Sequence, residues 1–170
     1  MSDFEAGVGS STVIVRAYDA YGNAISDSTG LGITLVQSAG AGVLSITGDS
    51  TVLAGSDTLS AAGLASFTVS SNDADDYSVD ANWVGSGSGA VTSNVFSAYP
   101  SAIASYAFSM SPDTLVDAGE SRVLTLTALD GQGNVVTNAG GTSVSLSASG
   151  GDFTINSPQN LKNDGSVSFS

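Results

Sequence analysis

The stretch Val13–Asn23, VIVRAYDAYGN, is an alternating apolar strand that runs directly into an Asp-x-x-Gly-Asn turn. The pattern returns at Leu124–Asn134 as LTLTALDGQGN, with Asp19 and Asp130 standing 111 residues apart. At that offset Ala17 meets Ala128, Gly22 meets Gly133 and Asn23 meets Asn134, and further on Ile33 and Leu35 meet Val144 and Leu146. The repeat is longer than a solenoid unit and close to the size of one small domain, so the chain reads as tandem β-domains.

Comparing the two copies shows which face is buried. Val13, Val15 and Ala17 align with Leu124, Leu126 and Ala128, and both sets are apolar. The alternate set, Ile14, Arg16 and Tyr18 against Thr125, Thr127 and Leu129, is mixed. A period of two with one consistently apolar face predicts a half-buried strand of a sandwich. In the turn that follows, Gly22 supplies a positive φ, while the Asp and Asn side chains bond nearby backbone.

Composition supports the same class. The 170 residues are 41% hydrophobic and 11% charged, which is apolar enough for a core and argues against disorder despite the abundant Gly and Ser. Val, Thr, Ser and Gly dominate over Glu, Lys and Arg, a balance that favours short strands joined by turns. With no Cys there are no disulfides or thiolate metal sites, and with no His the usual base of a Ser-His-Asp triad is missing. The net charge of −13 argues against partners that need a basic surface, namely nucleic acid and anionic membranes. No apolar run is long enough for a membrane span. The opening MSDFEAGVGSS lacks the basic and apolar regions of a signal peptide and reads as an internal start.

Further strands are expected at Ile33–Gln37, Val43–Ile46, Leu64–Ser70, Tyr77–Trp83 and Val91–Ser97. Turns are expected at Ser38–Gly40, at the acidic Asp73–Asp76 and at the glycine-rich Gly85–Gly89. Leu59, Gly63 and Phe67 match Leu161, Gly165 and Phe169 at an offset of 102, so the second copy is nine residues shorter between strands, and Phe153–Ile155 is its version of the third strand. Ala104–Met110 reads as a new first strand. The expected organisation is a first sandwich at 1–99 with its first strand missing or partial, a linker at 100–103 around Pro100, and a second sandwich at 104–170 truncated before its last two strands. The chain then covers about one and a half repeats of a longer array.

Three spaced motifs carry a family resemblance. They are Ala17, Asp19, Gly22 and Asn23; then Gly63, Ala65, Phe67 and Val69; then Tyr77, Val79 and Ala81. The first recurs at Ala128, Asp130, Gly133 and Asn134, and the second at Gly165, Val167 and Phe169. In this order they resemble bacterial Ig-like domains of the invasin/intimin group. The resemblance implies all-β, tandem immunoglobulin-like β-sandwiches of a bacterial surface protein, the second copy incomplete. The Ser/Gly/Ala-rich segment Gly48–Ala62 is longer than the family pattern, and the antibody-type Cys pair is absent.

Several groups of residues have the composition to carry chemistry. The Asp-x-x-Gly-Asn turns read as structural, with calcium ligation as the alternative. Asp73, Asp75 and Asp76, with Asp80, form the densest acidic spot but lack EF-hand spacing; they read as an exposed acidic turn or as a Ca²⁺ site. Gly85–Gly89 is followed by no Gly-Lys-Ser/Thr and reads as a loop. Tyr77 and Trp83 fall on the face expected to be buried, which favours core packing over sugar stacking. No nucleophile–base pairing is visible, so no catalytic, cofactor-binding or metal-binding residue is assigned and an enzyme is not expected. The expected role is an extracellular spacer or stalk module of a cell-surface adhesin. Its partners would be neighbouring Ig-like repeats, with a host-surface or glycan target elsewhere in the full protein. The alternative is a carbohydrate- or receptor-binding module, calcium-stabilised or not.

Overall fold

Short runs of Val, Ile, Thr and Ser punctuated by Gly pair best as strands, because β-branched residues pack on a pleated surface and Gly supplies the turns. The computed structural model of the protein describes residues 1–26, 30–48, 55–84, 90–111, 119–149 and 154–170. Among these residues there are strands and turns and no helix. The chain divides into two units, Met1–Tyr99 and Pro100–Ser170.

The first unit holds β1 (Phe4–Glu5), β2 (Ser11–Arg16), β3 (Gly32–Ala39), β4 (Leu44–Gly48), β5 (Ser56–Thr58), β6 (Leu64–Ser71), β7 (Asp75–Trp83), β8 (Val91–Thr92) and β9 (Phe96–Tyr99). One sheet runs β1-β9-β7-β3-β5 with β8 also on β7, and the other runs β2-β6-β4. The inward sets of both sheets meet in one core, in which Phe67, Val69, Tyr77, Val79 and Phe96 are almost wholly buried. The Phe96 ring packs between Phe4 and Tyr77, at centroid distances of 6.3 and 6.1 Å. Tyr77, near the start of β7, donates its hydroxyl to the backbone oxygen of Asp73 (3.1 Å) and also bonds the Ser71 hydroxyl (2.8 Å). A tyrosine tied back to upstream backbone at this corner is a hallmark of immunoglobulin-type sandwiches. Burial pushes its phenol above the ordinary tyrosine value.

The second unit holds β10 (Ser105–Ser111), β11 (Val123–Leu129), β12 (Ser143–Val144), β13 (Gln159–Asn160) and β14 (Ser166–Phe169). Its sheets are β10-β11-β14 and β12-β13, around a core of Leu126, Ala128, Val136, Val144, Leu161, Val167 and Phe169. The repeat is exact at the level of register. Val13 opposite Phe67 in the first unit becomes Leu124 opposite Phe169 in the second, and Ile33 opposite Asp57 becomes Val144 opposite Gln159.

The structure moves several expected boundaries. The turn expected at Ser38–Gly40 begins later, because β3 continues along β7 to an Ala39–Ser78 pair after a bulge. The strand expected from Val43 is β4, which starts at buried Leu44 and leaves Val43 exposed. The acidic turn ends earlier than expected: Asp75 and Asp76 already pair with Ala98 and Ser97 as part of β7. The single strand expected at Val91–Ser97 is two strands, β8 and β9, broken at Ser93, whose hydroxyl accepts the Val79 N–H (3.1 Å) in place of a backbone carbonyl. Strand β5 lies inside the long segment Gly48–Ala62, where no strand was expected. The glycine loop Gly85–Gly89 and Phe153 lie outside the described residues, while Ile155 packs against the second core without belonging to a strand. Residues of the expected linker bond into the second unit: the Pro100 carbonyl accepts from Asn138, and the Ser101 N–H donates to the Asp130 carboxylate.

Phe67→Ala removes a ring at the centre of the first core and should cost about 3–5 kcal/mol. Urea unfolding followed by fluorescence of Trp83, the one tryptophan in the chain, checks this directly. Phe169→Ala, in the second core, should leave that transition where it is; a matching shift would mean the two cores unfold together.

Candidate functional site

A strand ends cleanly when something other than the next rung of the ladder takes up its backbone N–H groups. Just past the end of β2 the Asp19 carboxylate does this for the turn that follows. Its Oδ1 accepts the N–H groups of Tyr21 (2.9 Å) and Asn23 (2.8 Å), and its Oδ2 accepts from the Asn23 side-chain amide (2.9 Å). Gly22 completes the turn at φ 84°. In the second unit Asp130 repeats the arrangement on Gln132, Asn134 and the Asn134 side chain at 2.9, 2.8 and 2.9 Å, with Gly133 at φ 90°. There Oδ2 also accepts the Ser101 N–H (3.1 Å), and Asp130 is buried where Asp19 is exposed.

These bonds hold both carboxyls below the ordinary value of 3.8. For Asp19 the Asn23 side-chain bond is the main cause. For Asp130 burial pulls upward, and the bonds from Asn134, Ser101 and Gln132 together outweigh it. Both carboxylates are occupied by the protein's own donors, which is the structural reading of the turn.

The acidic spot is divided in the same way. Asp73 accepts the Val43 N–H (2.9 Å), and Asp75 accepts the N–H groups of Ala41 and Gly42, so both hold the 40–43 turn against the start of β7. The Gly42 backbone bond is the main cause of the lowered Asp75 carboxyl. Asp76 accepts instead from the Ser97 hydroxyl of β9. Asp80 stands further along β7, opposite Val36 and Thr92. Among the described residues no three carboxylates converge on one point. Tyr77 is fully buried and Trp83 packs against the core from its edge.

One structural carboxylate escaped the sequence reading. Asp57 on β5 is buried and accepts the Thr58 N–H (2.7 Å) and, across to β6, the Ser66 N–H (2.8 Å). The repeat offset was the available signal: it aligns Asp57 with Gln159, a second polar side chain at the same point in a strand.

A groove of about 400 Å³ lies beside β2 in the first unit. It is lined by Val13 and Val15 of β2, by Val79, Ala81 and Trp83 of β7, and by the polar Arg16, Asn82 and Ser93 among others. No nucleophile and base meet in it, and its lining is mostly apolar.

No family model matches the chain, and no curated protein does. Solved structures similar to it include the D0-D1 domain of Intimin, at 18% identity and a TM-score of 0.46, covering 99% of this chain and 78% of that one. Domains 5-6 of the S-layer protein SbsC are similar at 15% identity and a TM-score of 0.39, covering 99% and 77%. Domains 4-9 of SbsC are similar at 16% identity and a TM-score of 0.41, covering 99% of this chain and 25% of that one. Among the described residues no helix is long and apolar enough to cross a membrane.

A group whose carboxyl is lowered on folding contributes stability above its unfolded value of 3.8, and that contribution is lost as pH falls through the folded value. Asp130→Asn places an amide donor against the Asn134 amide and should cost the second unit about 1.5–3 kcal/mol at neutral pH. Thermal melts of this variant between pH 6 and 2 should show a shallower acid slope than the parent. Asp19→Asn, in the exposed turn, should cost less.

Proposed function

We propose that the chain is a structural module, a spacer of a modular bacterial cell-surface adhesin. Its neighbours would be further Ig-like repeats of a longer chain, outside the cell, and any host or glycan target would be carried elsewhere in the full protein. One observation carries this reading: the two units reproduce the same turn and the same strand registers, and the carboxylates of Asp19, Asp73, Asp75 and Asp130 are spent on that frame. A repeated β-unit whose conserved geometry is all internal is suited to setting length and resisting extension. The spaced motifs that resemble invasin/intimin-type domains support the same role. The module is not catalytic in this reading, and it stands on its apolar cores without a metal.

Two measurements test it. The melting midpoint should be the same in excess Ca²⁺ and in EDTA, because Asp19, Asp73, Asp75 and Asp130 already accept backbone N–H groups. A rise of several degrees with Ca²⁺ would overturn the metal-free frame. Pulled from both ends, the first unit should rupture in one step that releases roughly 300 Å of chain. Gradual extension at low force would rule out a load-bearing spacer.

A further inference from the structure

Strands β1 and β9 of the first unit lie side by side and run the same way. Phe4 stands against Ala98 and Glu5 against Tyr99. Among the described residues every other strand pair is antiparallel. A bond flanks the parallel pair at each end. The Asp3 carboxylate accepts the Ser97 N–H (2.9 Å), and the Ala6 N–H donates to the Tyr99 carbonyl (2.9 Å). Asp3 thus adds a side-chain rung just before a strand of only two residues. The pair is also rooted in the core, since Phe4, Ala6, Phe96 and Ala98 are all buried. Directly after Ala6, the Gly7 N–H donates to the Ser71 carbonyl at the end of β6, in the other sheet (2.7 Å).

We propose that this pair is the mechanical clamp of the first unit, the set of bonds that must part before the unit can be stretched. The inference rests on the spacer reading above and assigns the tension to particular groups. Covalent order decides where force arrives. Chain on the N-terminal side of the unit reaches its other strands through β1, and chain on the C-terminal side reaches them through β9. This holds whatever lies outside residues 1–99.

The direction of the strands decides how the bonds are loaded. In an antiparallel pair, the start of one strand and the end of the other lie together, and opposite pulls there open the ladder one rung at a time. In a parallel pair they lie at opposite ends. The two pulls then run along the strands and slide one past the other, and the evenly spaced bonds of a parallel ladder share the load. The chain between Glu5 and Ser97 lies inside the loop that the pair closes, so it is shielded until the clamp gives way. Sliding β1 also draws Phe4 and Ala6 out of the core and breaks the Gly7–Ser71 bond that ties the strand to the second sheet.

The test stretches the full chain by its two ends, one molecule at a time, in the parent and in two variants. The first unit, the larger of the two, is recognised by its longer release of chain. Asp3→Ala removes one exposed rung of the clamp and leaves the core untouched. Asp73→Ala removes a bond of the same kind, to the Val43 N–H, away from the path of the force. Both variants should lower the melting midpoint by a similar few degrees, a check that both fold. Rupture force reports the unfolding barrier and not the equilibrium stability, so the two should differ there. Asp3→Ala should lower the rupture force of the first unit by roughly a quarter, as one rung lost from a short shared ladder, and Asp73→Ala should leave it unchanged. A sharp rupture that Asp3→Ala does not weaken overturns the clamp while leaving the spacer reading in place. An equal fall in both variants also overturns it, by spreading the barrier over the whole unit. Gradual extension of the parent at low force overturns the clamp and the spacer reading together.

Discussion

The two cores depend on where β2 and β11 stop. A strand that slips by one residue turns its whole apolar set outward, so register is worth more than any single contact. Here one carboxylate at each strand end takes up two backbone N–H groups and a side-chain amide, and Asn23 and Asn134 return their carbonyls to the Asp N–H. These bonds close each turn locally. With the strand end fixed, Val13 faces Phe67 and Leu124 faces Phe169, and the apolar sets have one place to go.

The same device recurs in looser forms elsewhere. Asp73 and Asp75 secure the 40–43 turn, and Asp57 reaches from β5 to β6. Acidic side chains that serve as acceptors for backbone N–H groups do not need basic partners, which fits a chain with only three Lys and Arg. The acidity that composition alone leaves ambiguous between surface charge and cation binding is thus partly turn chemistry. The glycines complete it: a side chain at Gly63 would collide with the Ile25 carbonyl, and Gly165 is similarly pressed against Val136.

Most of the frame was legible because the chain contains its own comparison. Two copies separate the apolar set that recurs, Val13, Val15 and Ala17, from the set that varies, and they date the length change to the segment between strands. The misjudged elements are those whose pairing is decided by partners distant in sequence. Asp75 and Asp76 look like a turn until Ala98 and Ser97 arrive beside them. Ser93 interrupts what alternation alone would run together, because its hydroxyl replaces a carbonyl in the ladder. Strand β5 has only three residues, Ser56, Asp57 and Thr58, none of them apolar, so no periodicity announces it. The groove beside β2 was invisible for the same reason: a concavity is a relation between strands, and no residue type marks it.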